Sequence, residues 1–305
     1  MLVSPFSIGT TGERFLPRTG RNFGPEIPFG TYGPNLAQRS LMRVGRLIPP
    51  GRYARKMARP LRSILRRLSV TPIDITVLDR QRMRVHPKGN ACETRMLVLP
   101  HLFDRYELRL LSRVLHPRCT FIDIGANVGI YTVFAALRAG PEARILAVEP
   151  NPAALARLRC NISLNQLTNV VVEPVALGDR AGPVSFKLDR RNIGNSTLVF
   201  AEDTAPADLI EVEGLTLMHL CARHGISKID AIEIDVEGAE DRILFPFFAA
   251  APASLWPVLL LVENSARQWR RDCVAMLIEN GYRRRYIPSR NMAFWRCTPA
   301  GGAVT

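Results

Sequence analysis

Acidic residues are missing from the chain between Ile27 and Ile73, where Arg39, Arg43, Arg46, Arg52, Arg55, Lys56, Arg59, Arg62, Arg66 and Arg67 recur every few positions. Residues 1–100 hold 18 basic and 5 acidic side chains, against 23 and 22 in the rest, so almost all of the net charge of +14 lies in the first third. Such asymmetry separates a basic N-terminal region from a nearly neutral remainder with a different task. The first 35 residues are rich in Gly, Pro, Ser and Thr and poor in apolar pattern, which reads as weakly ordered chain. At 305 residues the length exceeds one minimal core. We therefore expect a basic, Pro/Gly/Arg-rich, partly disordered arm over residues 1–90 and one folded domain over residues 91–300.

Other absences narrow the class. Cys92, Cys119, Cys160, Cys221, Cys273 and Cys297 form no C-x-x-C pair and no Cys/His group of zinc spacing, so they read as small buried apolar residues. The first thirty residues lack an apolar h-region, which leads us to expect a cytoplasmic protein. The uncharged run Ile243–Val262 is long enough for a membrane span, but Pro246, Pro252 and Pro257 would break such a helix repeatedly. It reads instead as a helix end, a loop and a buried strand. A basic arm of this kind is either a solvated segment or a peripheral contact with anionic lipid at the inner face of the membrane; nucleic acid is the less favoured partner.

Beyond residue 100 short apolar runs alternate with helical periodicity, the pattern of strand–helix units around a parallel sheet. A helix over Asp104–Leu115 leads to a strand at Cys119–Ile124, a helix at Val128–Ala139 and a strand at Arg144–Glu149. Asn151 and Pro152 then start a helix as cap and first residue. A strand at Val170–Val175 follows. Pro183–Leu188 and Leu209–Val212 look like strands of a small β insertion around the loop Asn192–Thr197. The rhythm resumes with helix Thr216–His224, strand Ile229–Ile234, a helix from Glu240, strand Val258–Val262 and helix Gln268–Asn280. Tyr282–Ile287 and Met292–Arg296 close the chain as a hairpin. Trp256, Trp269 and Trp295 lie in apolar patterns and read as core rather than as sugar-stacking platforms.

Chemistry concentrates at Asp123-Ile-Gly-Ala-Asn-Val-Gly129, a glycine-bearing turn between a strand and a helix. Such turns let backbone approach a nucleotide-like ligand at a helix N-terminus. Asn127 occupies the place of the glycine that admits a pyrophosphate, and Asp123 adds negative charge, so a cationic ligand without phosphate fits better. S-adenosylmethionine is such a ligand. Glu149 ends the next strand, where a carboxylate can accept hydrogen bonds from both ribose hydroxyls. We expect Asp123, Gly125, Ala126, Asn127, Gly129, Glu149, Asn151 and Ala176 to form the donor site. Asp235-Val-Glu-Gly-Ala-Glu240 follows the fourth strand, so Asp235 should stand at the carboxyl edge and, with Glu237, align and deprotonate an acceptor hydroxyl. Glu240 reads as a helix-capping acid.

The runs F-I-D-I-G-A-N-V-G-I-Y-T, A-V-E-P-N-P, N-I-S-L-N, V-A-L-G-D and I-E-I-D-V-E-G-A-E, spread over residues 119–297, resemble the FkbM family of S-adenosylmethionine-dependent methyltransferases. The resemblance implies an α/β, Rossmann-like class I methyltransferase fold: a mostly parallel seven-stranded sheet with a reversed C-terminal strand, here supplied by the closing hairpin. It also implies O-methylation of hydroxyls on saccharides, glycolipids or related small molecules. Glu233 stands where the family usually has lysine, and Met218 where it usually has aspartate. Asp235 with Glu263 and Asn264 resembles the acid, acid, asparagine set of catechol-type O-methyltransferases, with oxygen donors of the kind magnesium takes. Two other readings remain. A nucleic-acid methyltransferase would suit the charge, but Glu233, Asp235, Glu237 and Glu240 would repel phosphates and the N/D-P-P-Y signature is missing. A binding protein that keeps the donor fold without turnover is motivated by Glu233 and Met218.

Overall fold

In the computed structural model, which describes residue 24 and residues 26–78, 80–189, 191–198 and 208–297, the acid-free segment is folded from Leu36 onward. Helix α1 (Leu36–Arg46) starts at Asn35, whose side chain accepts from the Gln38 amide while the Gln38 side chain accepts from the Asn35 amide, each at 2.9 Å. Helix α2 (Ala54–Leu68) follows, then a hairpin of β1 (Ile73–Val77) and β2 (Gln81–Val85). Arg84 of the hairpin is fully buried, paired with Asp74 at 2.8 Å, and donates to the carbonyls of Gly24, Ile27 and Pro28. The described residues ahead of position 90 pack on the rest of the chain. Met42, Ile48, Ala58, Leu65, Ile75 and Val85 belong to one continuous core with residues as distant as Ala293. The weakly ordered chain expected over residues 1–35 falls mainly on residues 1–23, outside the described residues.

Helices α3 (Ala91–Val98) and α4 (Arg105–Leu111) lead into β3 (Thr120–Ile124), α5 (Ile130–Ala139), β4 (Arg144–Val148), α6 (Pro152–Leu164) and β5 (Val170–Glu173). After Pro174 the chain leaves the main sheet. Strands β6 (Ala176–Leu177), β7 (Gly182–Lys187), β8 (Thr197–Leu198) and β9 (Leu209–Leu215) form a separate four-stranded sheet in the order β6-β9-β7-β8, the expected insertion. Helix α7 (Leu217–Arg223), β10 (Ala231–Ile234), α8 (Glu240–Ala250), β11 (Leu259–Glu263), α9 (Cys273–Glu279), β12 (Tyr282–Arg285) and β13 (Asn291–Arg296) complete the chain. Helix α9 begins at Cys273 rather than at Gln268. The Asp272 side chain caps it through the Val274 and Ala275 amides, and the preceding amides of Arg270 and Arg271 donate to Asp241 instead.

The main sheet has the order β12-β13-β11-β10-β3-β4-β5. Strands β3, β4, β5, β10 and β11 are parallel, and β13 runs antiparallel to both β11 and β12. This is the class I methyltransferase arrangement, with the reversed strand inserted from the terminal hairpin. Both faces are covered, so the strands are apolar on both sides. Phe121, Ile145, Ala231 and Leu259 face the core that includes α3, α4 and α5; Ile122, Leu146, Ile232 and Leu260 face α7, α8 and α9. The uncharged run resolves into α8, a loop and β11. Among the described residues no helix is long and apolar enough to cross a membrane.

Candidate active site

Strand alternation assembles the site. Residues 121, 123, 231, 233, 259, 261 and 263 lie on one face of neighbouring strands, so the apolar positions sit within the sheet and the carboxylates emerge at its C-terminal edge. There a cleft of about 370 Å³, the size of a small-molecule site, is lined by Asp123, Gly125, Asn127, Glu149, Asp235 and Glu237 among others.

Glu149 is buried. One of its oxygens accepts from the Asn127 amide at 2.7 Å and the other from the Asn151 amide at 2.8 Å, which fixes the carboxyl group across the glycine turn. Burial nonetheless pushes its pKa up to about 7, despite the two amides. Asp123 accepts from the Thr132 hydroxyl, and burial raises it to about 6. Glu233 lies opposite Asp123 in register, also buried; burial first and Asp123 second hold its pKa well above the usual carboxylate range. Two buried carboxyl groups in register resist being ionised together.

The turn is held open by backbone geometry. Gly125 has φ +85°, and a Cβ there would lie 1.9 Å from the Asp235 carbonyl oxygen. Only glycine lets the ends of β3 and β10 approach so closely. Asn127 also has positive φ, at 51°, and its side chain accepts from Asn90 at 2.8 Å. The insertion loop forms a wall: Ile193 donates to the Gly89 carbonyl, and the Asn192 side chain accepts from the Ala91 amide.

Of the residues expected to hold the donor, Asp123, Gly125, Ala126, Asn127, Glu149 and Ala176 line the cleft. Gly129 and Asn151 do not. Gly129 precedes α5 with φ +86° and packs against Leu158. The Asn151 side chain is spent on structure, accepting from the Ala153 amide at 2.9 Å and donating to the Ile193 carbonyl and the Ser196 hydroxyl. Glu240, the first residue of α8, is buried and accepts from the amides of Val236 and Gly238 in the preceding turn and from the Trp269 indole at 2.6 Å; it ties that turn to Trp269 and caps no helix amide. All three tryptophans pack against the core.

The expected acceptor carboxylates also meet. Carboxylate oxygens of Asp235, Glu237 and Glu263 lie within 4.8 Å of one another. Asn264, the third member of the expected acid, acid, asparagine set, lines the neighbouring groove. Enclosure in the cleft, then Glu263 and Glu237, keep Asp235 well above its usual pKa, and enclosure with Glu263 lifts Glu237 to about 7. Glu237 adopts φ 54° just before Gly238, a strained turn of the sort found where a side chain is presented to a ligand.

The family model described as the Methyltransferase FkbM domain matches residues 123–286, more than half of the chain. The chain belongs to the FkbM methyltransferase family. A relative of this methyltransferase is the 31-O-demethyl-FK506 methyltransferase FkbM of Streptomyces tacrolimicus, 29% identical over 195 residues that cover 55% of this chain and 72% of that protein. The 2-O-methyltransferase NoeI of Sinorhizobium fredii is 27% identical over 54% of this chain and 69% of its own length. Methyltransferase sdnD of Sordaria araneosa is 30% identical over 151 residues; this chain spans 58% of its length. The crystal structure of a methyltransferase from Geobacter sulfurreducens aligns with 87% of this chain at 13% identity and a TM-score of 0.40.

The cleft also holds residues to which the sequence reading gave no role in the site: Tyr131, which lies within the glycine-turn motif, and Asn90, Arg95 and Phe103, together with Arg55, Arg62 and Arg290. Two of them were within reach, because Arg55 and Arg62 are seven positions apart and so share one helix face. The others depend on tertiary packing.

Proposed function

We propose that this FkbM-family methyltransferase transfers the methyl group of S-adenosylmethionine to a hydroxyl of a saccharide, glycolipid or related small molecule. The observation that carries the reading is the continuity of one cleft from Asp123 and Glu149, the donor side, to Asp235 and Glu237, the acceptor side. Glu149 takes the ribose hydroxyls, and Asp123 with the Gly125–Asn127 backbone takes the methionine end. The acceptor hydroxyl is aligned with the sulfonium methyl by Asp235. As the O–C bond forms and the S–C bond breaks, the hydroxyl proton passes to the Asp235–Glu237 carboxylates and S-adenosylhomocysteine leaves. Relatives named as a 31-O-demethyl-FK506 methyltransferase and a 2-O-methyltransferase support oxygen as the acceptor atom.

The decisive assay measures S-adenosylhomocysteine release from S-adenosylmethionine with a panel of glycan and glycolipid acceptors. Release above a no-acceptor control, lost in Glu149→Ala, upholds the reading. No release by a folded protein that binds the donor would leave a donor-binding protein without turnover. Transfer to RNA or DNA alone would move the acceptor to the nucleic-acid class.

The partner is an anionic membrane surface met through α1, α2 and their flanks. Leu36, Val44, Leu47, Met57, Leu68 and Val70 are exposed there among the basic residues, Leu47 at 80% and Val70 at 82%. Exposed apolar side chains interspersed with arginine suit the boundary between head groups and acyl chains. Retention on phosphatidylglycerol vesicles, weakening with salt and missing on phosphatidylcholine, is expected; no retention on either would overturn this.

A further inference from the structure

The acceptor side of the cleft carries a second, oppositely charged wall. Arg55 and Arg62 reach it from α2, Arg95 from α3 and Arg290 from the turn between β12 and β13. Arg95 is paired with Asp104 at 2.6 Å. Among the described residues Arg55, Arg62 and Arg290 make no ion pair. They lie close enough to disturb one another: after burial, Arg95 and Arg290 lower the pKa of Arg55, and Arg66 and Arg95 lower that of Arg62.

Hydrogen-bonding capacity on this wall is unused. Five buried side-chain polar atoms among the described residues lack a partner, and three of them, Arg62 Nε, Arg95 Nε and Tyr131 Oη, belong to residues lining this cleft. Tyr131 is only 8% exposed, and Arg95 stands near it. All three atoms can donate. Buried donors are normally satisfied, so three such groups around one cleft mark a place where a ligand supplies acceptors. The methyl donor offers one carboxylate beside its sulfonium and ammonium cations, so it can meet at most one of these guanidinium groups and leaves the rest of the wall unpaired.

We infer that the acceptor carries a phosphate group bound by Arg55, Arg62, Arg95 and Arg290, with Tyr131 donating to the same group. The inference rests on the methyltransferase reading and names the acceptor class within it. A carboxylate would fill one guanidinium fork, whereas a phosphate brings up to two charges and several peripheral oxygens to three unpaired arginines. Beyond Arg55, Arg95 and Arg290 the cleft continues into a groove lined by Arg52, Arg105, Arg284 and Arg285, which keeps the surroundings positive for the rest of the acceptor. Two sources share this chemistry: a soluble sugar phosphate, and a sugar joined to a lipid through phosphate.

The test is calorimetric titration of the full chain saturated with S-adenosylhomocysteine, using glucose 1-phosphate, glucose, and a polyprenyl phosphate in detergent micelles as probes. Glucose 1-phosphate should bind and glucose should not. Arg62→Gln and Arg290→Gln should each weaken phosphate binding about tenfold while S-adenosylhomocysteine affinity is retained. Arg290 is exposed on a turn, so its replacement keeps the test valid if Arg62→Gln fails to fold. Binding of the polyprenyl phosphate alone would assign the lipid-borne source and uphold the inference. Donor binding with no phosphate binding, or phosphate binding indifferent to both substitutions, would overturn it and leave methyl transfer standing. Failure of S-adenosylhomocysteine itself to bind would remove the methyltransferase reading and this inference with it.

Discussion

Glu233 faces Asp123 across the β10–β3 pair, and burial together with this neighbour favours a proton on Glu233 over two adjacent negative charges. The family's usual lysine at position 233 would meet Asp123 with an opposite charge; here a second carboxyl group stands in that place.

Glu233→Gln preserves a donor toward Asp123 and removes the need to keep a proton. Donor affinity should stay within about twofold of wild type, and the variant should melt at higher temperature than wild type at pH 8. Glu233→Ala should lose both affinity and stability. Thermal melts and titration with S-adenosylhomocysteine separate the cases.

Glu149 and Asp123 make donor binding dependent on pH. Their folded pKa values, about 7 and about 6, exceed the ordinary 4.5 and 3.8. The folded state then binds more protons than the unfolded one between each pair of values, so ligand-free stability falls as pH rises through that window. Affinity for S-adenosylhomocysteine should move the opposite way, increasing toward pH 8 as the carboxyl groups ionise and become acceptors. Melts and titrations at pH 5.5 and pH 8 test both signs; affinity flat over this range would exclude Glu149 from the ribose site.

Glu237, raised to about 7, must be ionised to take a proton. Turnover by wild type should therefore rise through about pH 7. Glu237→Gln should remove that limb and, with Asp235→Asn, reduce kcat by about a hundredfold or more, with donor affinity little changed. A pH–rate profile for each variant measures this.

Gly125→Ala should be severe. Its Cβ would enter the space of the Asp235 carbonyl, at a backbone angle that L-residues avoid. A loss of about 3 kcal/mol or more is expected, read by chemical denaturation. Gly140→Ala, also at positive φ but with open space around it, should cost less.

Local signals in the chain specify the sheet and one half of the site. Alternating apolar runs bounded by caps such as Asn151 and Asp272 are local signals, and the glycine turn after β3 needs no distant partner to be legible. Asp123, Glu149 and Asp235 were visible for the same reason, since each ends a strand whose edge is the binding edge. Tertiary structure decided the rest. Asn151 has the type and place of a ligand-binding residue, but its amide is claimed by the Ile193 carbonyl 42 positions away. The basic segment has the composition of a solvated arm, yet Met42, Ala58 and Leu65 turn it into a layer of the core. Its packing carries Arg55 and Arg62 to the cleft, where they meet Arg95 and Arg290. Local patterning fixes which face of an element is apolar; which remote element covers that face is set by the packing of the whole chain.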